Sequence, residues 1–285
     1  MIALQEITAT AAAKLTPAEK ERSLRSLMRK LQRVLVAYSG GVDSSYLAKI
    51  ATDELGQDAV CVIGLSPSVS KFQRDNAVRI AKANGFNIRM LDTDELADPK
   101  YAANLGDRCY FCKSELYSKL AEVAAGQDSV ILDGTNADDI VDYRPGRVAA
   151  SEYSVRSPLA ELGFTKDDIR VLSKAAGLET WNQPASPCLS SRVAVGVPVT
   201  LERLSRVERA EAVLRQMGFR EFRVRVHGEL ARVEVSPAEL PAALDIELSG
   251  RISRELKAIG FKFVTLDLEG FRSGSMNVSN ETVKN

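Results

Sequence analysis

The stretch Val34-Leu35-Val36-Ala37-Tyr38-Ser39-Gly40-Gly41-Val42-Asp43-Ser44-Ser45 decides the fold. Its first part is a continuous apolar run, the sign of a strand buried on both faces. Its second part sets two glycines, an aspartate and three serines where that strand turns into a helix. Backbone N–H groups and hydroxyls at a helix N-terminus bind anions, because unsatisfied donors and the helix dipole both favour negative charge there. The Gly-x-x-x-x-Gly-Lys of a Walker A loop is absent, and so is the Gly-x-Gly-x-x-Gly of dinucleotide folds.

Outward from this turn, strands and helices alternate. Thr16-Pro17-Ala18-Glu19 reads as a cap, a helix-opening proline and the returning glutamate of a capping box, predicting a helix to about Leu31. Downstream the pattern predicts helices over 44–55, 71–84 and about 112–125, with strands over 59–65, 87–91 and 129–132. Such alternation makes a doubly wound parallel sheet, which binds ligands at the carboxyl ends of its strands. In position, content and length the glycine-serine turn resembles the PP-loop of ATP pyrophosphatases, which release pyrophosphate and leave AMP on a substrate. The resemblance makes Ser39, Gly40, Gly41, Asp43, Ser44 and Ser45 a cradle for ATP. Ser66 and Ser68 after the second strand, Asp92 and Asp94 after the third, and Gly134 and Asp138 after the fourth complete the rim. Carboxylates beside a polyphosphate suit Mg²⁺, which takes one or two of them plus phosphate oxygens.

Past Asp133 the pattern loosens, with one helix capped at Thr165, and residues 182–192 contain two prolines that break regular structure. The last hundred residues change character. A helix over 200–217 precedes Phe222–Val226 and Leu230–Val235, which alternate with period two around a His227-Gly228-Glu229 turn, then a helix near 250–259 and a strand over 261–267. The expected fold class is therefore α/β, a doubly wound parallel sheet of PP-loop ATP pyrophosphatase type with a smaller C-terminal α+β domain. Residues 1–185 form the first domain and 186–285 the second, opened by the Cys188 loop.

The chain has 285 residues, 45% hydrophobic and 27% charged, with 38 basic residues balancing 38 acidic ones. This is a globular composition, and zero net charge argues against a nucleic-acid partner, since phosphate neutralisation needs a basic surplus. No run is long enough to span a membrane, and no signal-like core opens the chain, so a cytoplasmic setting with reduced thiols is expected. Four cysteines are too few for a disulfide scaffold. Cys61 sits in an apolar strand and reads as packing. Cys109-Tyr110-Phe111-Cys112 reads as a redox dithiol, half a zinc site or part of an iron–sulfur site. Cys188 lies in a Ser- and Pro-flanked loop beside Arg192, and thiolate attack on an acyl-adenylate is direct because AMP leaves readily.

Four segments together resemble the LarE family: the PP-loop, Gly134–Asp139 with Tyr143–Gly146, Pro187–Arg192, and Asp267–Asn277. The similarity runs from about Arg33 to Asn277, across both expected domains. LarE enzymes make the nickel-pincer nucleotide cofactor of lactate racemase. They adenylate a carboxylate of pyridinium-3,5-biscarboxylic acid mononucleotide and replace its oxygen with sulfur. In single-cysteine members the residue matching Cys188 gives up its own sulfur and becomes dehydroalanine. Cys109 and Cys112 depart from those members and match a three-cysteine branch, which implies a [4Fe–4S] cluster on Cys109, Cys112 and Cys188 as sulfide carrier. The resemblance further implies that Arg192, Arg223 and Arg225 bind substrate, the last two cradling its phosphate, with Glu211 and Glu234 as base or metal-binding groups near the sulfur. An ordinary solvated sheet face has the same charge pattern. A homohexamer built from trimers, a sulfide donor and a downstream nickel-insertion protein are implied in the same way.

The nearest rival is a tRNA thiolase, another PP-loop class that can use three cysteines. Residues 185–285 hold 15 basic and 13 acidic residues, a thin surplus for tRNA. A synthetase of the NAD or GMP type has no use for these cysteines, and a nucleotide sensor would bind ATP without releasing pyrophosphate.

Overall fold

Apolar alternation builds the parallel sheet from its centre in the computed structural model, which describes residues 15–140, 145–184 and 186–272. Tyr143 and Arg144, residues 273–277, and Ala185 at the expected domain boundary lie outside the described residues. Strand β1 (Val34–Ala37) sends Val34 and Val36 to one face and Leu35 to the other; β2 (Ala59–Leu65) divides Cys61 and Ile63 from Val62 in the same way. Each fully buried Val or Leu contributes about 1.5–3 kcal/mol relative to exposure. With β3 (Asn87–Asp92) and β4 (Val130–Leu132) these form four parallel strands in the order β3-β2-β1-β4.

The helices of this half are, in chain order, α1 (Pro17–Leu31), α2 (Val42–Leu55), α3 (Lys71–Ala83), α4 (Pro99–Ala103), α5 (Arg108–Ala125), α6 (Pro145–Glu152), α7 (Pro158–Glu161) and α8 (Lys166–Ala175). Leu24, Tyr46, Ala77, Leu159 and Ile169 carry α1, α2, α3, α7 and α8 onto one face, and Tyr117, Leu120 and Ala149 carry α5 and α6 onto the other. The chain winds outward from β1 through β2 to β3, then returns to place β4 on the far side of β1. That reversal opens a crevice between β1 and β4 at their carboxyl ends, the place where such sheets take ligands.

The second sheet joins β5 (Phe222–His227), β6 (Leu230–Val235) and β7 (Phe263–Leu266). β5 and β6 pair antiparallel across the expected turn, and β7 pairs parallel with β6 after a crossover through α10 (Leu240–Ala243) and α11 (Ile246–Ile259). Val207 and Leu214 of α9 (Leu201–Gln216) pack with Val224, Val233 and Leu256. Tyr101 of α4 belongs to this second core, and Phe111 and Cys112 of α5 pack at its edge. The cysteine pair therefore stands where the two halves of the chain meet.

Three elements differ from the sequence reading. α5 begins at Arg108 rather than Cys112, so Cys109 and Cys112 lie three residues apart on one helical face. α11 begins at Ile246, because Asp245 caps it by accepting from the backbone of Glu247 and Leu248 at 3.0 and 2.9 Å. The loose stretch after Asp133 holds α6 and α7 besides the expected helix at Thr165. Among the described residues no helix is long and apolar enough to cross a membrane.

Candidate functional site

The PP-loop is shaped by what glycine permits. Gly40 adopts φ +74°, and a Cβ there would stand 2.6 Å from the Cβ of Ala77 on α3. Gly41 is the N-cap of α2, and no side chain caps that helix. The first-turn N–H groups of α2 therefore keep their capacity for an anion. Ser39 and Ser44 brace the loop: their hydroxyls lie 3.0 Å apart, and Ser44 Oγ also donates to the Gly41 carbonyl at 3.2 Å. Ser45 is fully buried on the inner side of α2. From the neighbouring strand, Gly134 approaches so closely that a Cβ would lie 3.0 Å from the Ser44 backbone nitrogen. The expected rim residues on β1 and β4 thus meet in one crevice.

Lys166 ties the carboxylates of this crevice together. Its Nζ pairs with Asp43 at 2.5 Å, and its backbone N–H donates to Asp138 at 2.7 Å. Asn136 adds a 3.4 Å bond to Asp43. No motif marks Lys166 in the sequence; the cap at Thr165 placed it at a helix start without saying what that start would face. Mg²⁺ fits this chemistry, because a polyphosphate brings its own oxygens and asks only one or two carboxylates of the protein. At the end of β2, buried Ser66 donates to Glu95, itself buried and unremarked in the sequence.

The second core borders two of the cysteines: Cys112 packs at its edge, and Leu189, next to Cys188, is part of it. Cys61 is fully buried in the first core, its thiol pushed up to about 12 by burial, as packing requires. Cys109 is exposed, while Cys112 and Cys188 are half-buried. Burial pushes the Cys112 thiol up to about 12, and the negative charges of Glu95, Cys188 and Cys109 add to it. All three thiols of interest are thus electrostatic neighbours. Among the described residues no three His, Cys, Asp or Glu side chains converge as ligands of one metal ion. A cubane cluster binds each thiolate through a different iron, so three cysteines match it in the kind and number of donors. Because about 10⁻⁴ of a thiol with this pKa is ionised at pH 8, Cys112 is expected to label with iodoacetamide at least about 100-fold more slowly than an ordinary thiol. Peptide-mapped labelling checks this, and comparable rates at Cys112 and Cys109 would contradict it.

Cys188 opens a short 3₁₀ turn, Leu189–Arg192, that is docked rather than loose. Leu189 N–H donates to the Ser68 carbonyl at 2.7 Å, which fastens the turn to the end of β2. Arg192 Nη1 donates to the carbonyls of Pro187 and Cys188 at 2.7 and 3.0 Å, while its Nε donates to Glu211 at 2.8 Å. Arg225 donates to Glu234 and to the Ser191 carbonyl, each at 3.1 Å, and Arg232 also reaches Glu234. Arg192, Glu211, Arg225 and Glu234 are all buried, so none belongs to a solvated sheet face. Of the expected substrate and base residues, Arg192 pairs with Glu211 and Arg225 with Glu234. Arg223 is half-buried, with its guanidinium stacked over Phe271, and burial and the nearby Arg192 lower its pKa to about 10. Arg223 thus stands beside Arg192 and Arg225, which pair with Glu211 and Glu234, while Arg232 pairs with Glu234 and Asp267.

A glycine-serine turn at the switch point of a doubly wound parallel sheet, with a separate small α+β unit, defines the fold of the PP-loop ATP pyrophosphatases. No family model matches the chain. It is 40% identical over 264 residues to the pyridinium-3,5-bisthiocarboxylic acid mononucleotide synthase of Lactiplantibacillus plantarum, covering 92% of this chain and 95% of that protein. An uncharacterized Synechocystis protein is 44% identical, over 90% of this chain and 97% of its own length. An uncharacterized Methanocaldococcus jannaschii protein is 30% identical, over 86% and 92% respectively. The chain belongs to the LarE family.

Proposed function

We propose that the chain is an ATP-dependent sulfurtransferase that turns carboxylates of pyridinium-3,5-biscarboxylic acid mononucleotide into thiocarboxylates for the nickel-pincer cofactor. The observation that carries this reading is the near full-length identity with a synthase named for the bisthiocarboxylic product. In the first step a substrate carboxylate oxygen attacks the α-phosphorus of ATP, the bond to the β-phosphate breaks, and pyrophosphate leaves. The first-turn N–H groups of α2, with the hydroxyls of Ser39 and Ser44, receive the charge that grows on the leaving group. Asp43 and Asp138 would hold Mg²⁺, which neutralises phosphate charge. The arginine cluster around Arg223 orients the substrate phosphate, and the docked Cys188 turn presents sulfur toward the acyl carbon, from which AMP departs.

Cys109, Cys112 and Cys188 would hold a [4Fe–4S] cluster, which when bound supplies one iron without a protein ligand as a seat for exchangeable sulfide. A sulfide donor to refill it, a nickel-insertion protein downstream, a cytoplasmic setting and a hexamer belong to the same reading. Anaerobic reconstitution with iron and sulfide should give acid-labile sulfide and a broad absorbance near 400 nm. Cys109→Ala with Cys112→Ala should then abolish transfer, while the mass of Cys188 stays constant in the wild type. Transfer that survives the double substitution, with Cys188 losing the mass of H₂S, would replace the cluster by a sacrificial Cys188. Failure to release pyrophosphate with this substrate would remove the sulfurtransferase reading altogether.

A further inference from the structure

The glycine that ends the Tyr143–Gly146 segment takes no part in the site described so far. Gly146 lies in the first turn of α6, where its backbone conformation asks for no glycine. A Cβ there would stand 3.0 Å from Lys113 Cγ and 3.4 Å from the Cys109 carbonyl oxygen. The missing side chain therefore makes room for the stem of Lys113, on the helix that carries the cysteine pair. Cys109, Lys113 and Tyr117 follow one another at four-residue spacing along α5 and share one face.

The ammonium of Lys113 lies 5.2 Å from the centroid of the Tyr117 ring. Tyr117 is fully buried, and its hydroxyl donates to Asp133 Oδ2 at 3.0 Å. Asp133 also accepts from the Thr135 N–H and hydroxyl and from the Ser157 hydroxyl, at 3.1, 2.9 and 2.7 Å. Each of its oxygens thus has two neutral donors, which stabilise the carboxylate without an ion pair. An aromatic face attracts a cation but carries no net charge, so Lys113 keeps its positive charge for an anion. Asp133 leads directly into Gly134, the residue that presses on the Ser44 backbone nitrogen in the first turn of α2. One turn of α5 on from Cys109, the lysine therefore stands between the cysteine pair and the proposed phosphate crevice.

We propose that Lys113 binds the phosphate that joins AMP to the acyl group of the activated substrate. The inference rests on the proposed adenylation, and it holds whichever atom delivers the sulfur. When a sulfur nucleophile forms its bond to the acyl carbon, the bond from that carbon to the phosphate oxygen breaks. The electron pair leaves with AMP, whose phosphate gains a negative charge. A cation fixed between the thiols and the nucleotide crevice stands where that charge grows. Gly146 lets the lysine stem lie against α6, which limits where the ammonium can go and places it before the substrate arrives.

The test compares AMP with adenosine on the full-length metal-free protein, because the two ligands differ only in the phosphate. Lys113→Met keeps an apolar stem and removes the charge. It should weaken AMP binding about tenfold or more, the scale of a lost hydrogen bond to a charged group, and leave adenosine binding unchanged. Lys113→Arg should recover part of the loss. Gly146→Ala, which keeps the charge but displaces the stem, should weaken AMP selectively in the same way. Urea titration shows whether each variant is folded; if Lys113→Met is not, Lys113→Gln and Gly146→Ala carry the comparison. Equal losses for AMP and adenosine, no loss for either, or a wild type that binds AMP no better than adenosine would each overturn the assignment. If the wild type releases no pyrophosphate and transfers no sulfur, the proposed function falls, and the ratio of AMP to adenosine affinity still decides whether Lys113 holds a phosphate.

Discussion

Gly40→Ala should destabilise the protein by about 2–5 kcal/mol and abolish nucleotide binding. Two costs add. A non-glycine residue at φ +74° loses about 1–2 kcal/mol to steric conflict between its side chain and the backbone. The new methyl would also lie 2.6 Å from the Cβ and 2.8 Å from the Cα of Ala77, and overpacking of that kind costs about 1–3 kcal/mol. Ala77→Gly in the same chain removes the nearer of those clashes. It relieves neither the backbone strain nor the crowding against the main chain of α3, so it should restore only part of the loss. Urea titration measures the stability and equilibrium dialysis with ATP the binding. A Gly40→Ala protein as stable as the wild type would show that the loop does not pack on α3.

Breaking the Arg192–Glu211 pair should cost about 3–5 kcal/mol from either side. Arg192 is 3% exposed and Glu211 6%, so truncating one leaves the other charged and buried. The two truncations should not be additive: Arg192→Met with Glu211→Leu should cost clearly less than the sum of Arg192→Ala and Glu211→Ala. The single variants should also differ in one respect. Arg192, and not Glu211, donates to the Pro187 and Cys188 carbonyls, so Arg192→Ala should speed backbone hydrogen exchange in the Cys188 turn more than Glu211→Ala does. Additive losses in a denaturant series would contradict the pairing.

The parallel sheet, the PP-loop and the β5–β6 hairpin are legible in the sequence because each is written locally. Val34 to Tyr38 is apolar without a gap, Gly40 and Gly41 stand where a strand becomes a helix, and Phe222 to Val235 alternates around a short turn. The membership of the arginines in buried pairs is not. An arginine at every second position of a strand looks like a solvated face until its partner is known, and Arg192 finds Glu211 only through tertiary packing. Lys166 and Glu95 carry no motif at all; their importance comes from what folds against them. The start of α5 is a different case, since its signal is present but masked. Cys109 looks like a loop residue ahead of a helix that opens near Cys112, yet residues 108–125 run without a breaker, which places both thiols on one helical face.

The bond from Leu189 N–H to the Ser68 carbonyl makes the proposed nucleotide rim and the proposed sulfur turn parts of one mechanical unit. Reciprocity follows from thermodynamics. Whatever factor a bound nucleotide contributes to holding the sulfur turn in its docked position, the docked turn must return as the same factor in nucleotide affinity. Where ATP slows a protease that cuts only the undocked turn, a chain whose turn cannot dock binds ATP more weakly, up to the same factor. On the proposed function, activation and delivery, two chemical events at separate atoms, would share a single account of order between them.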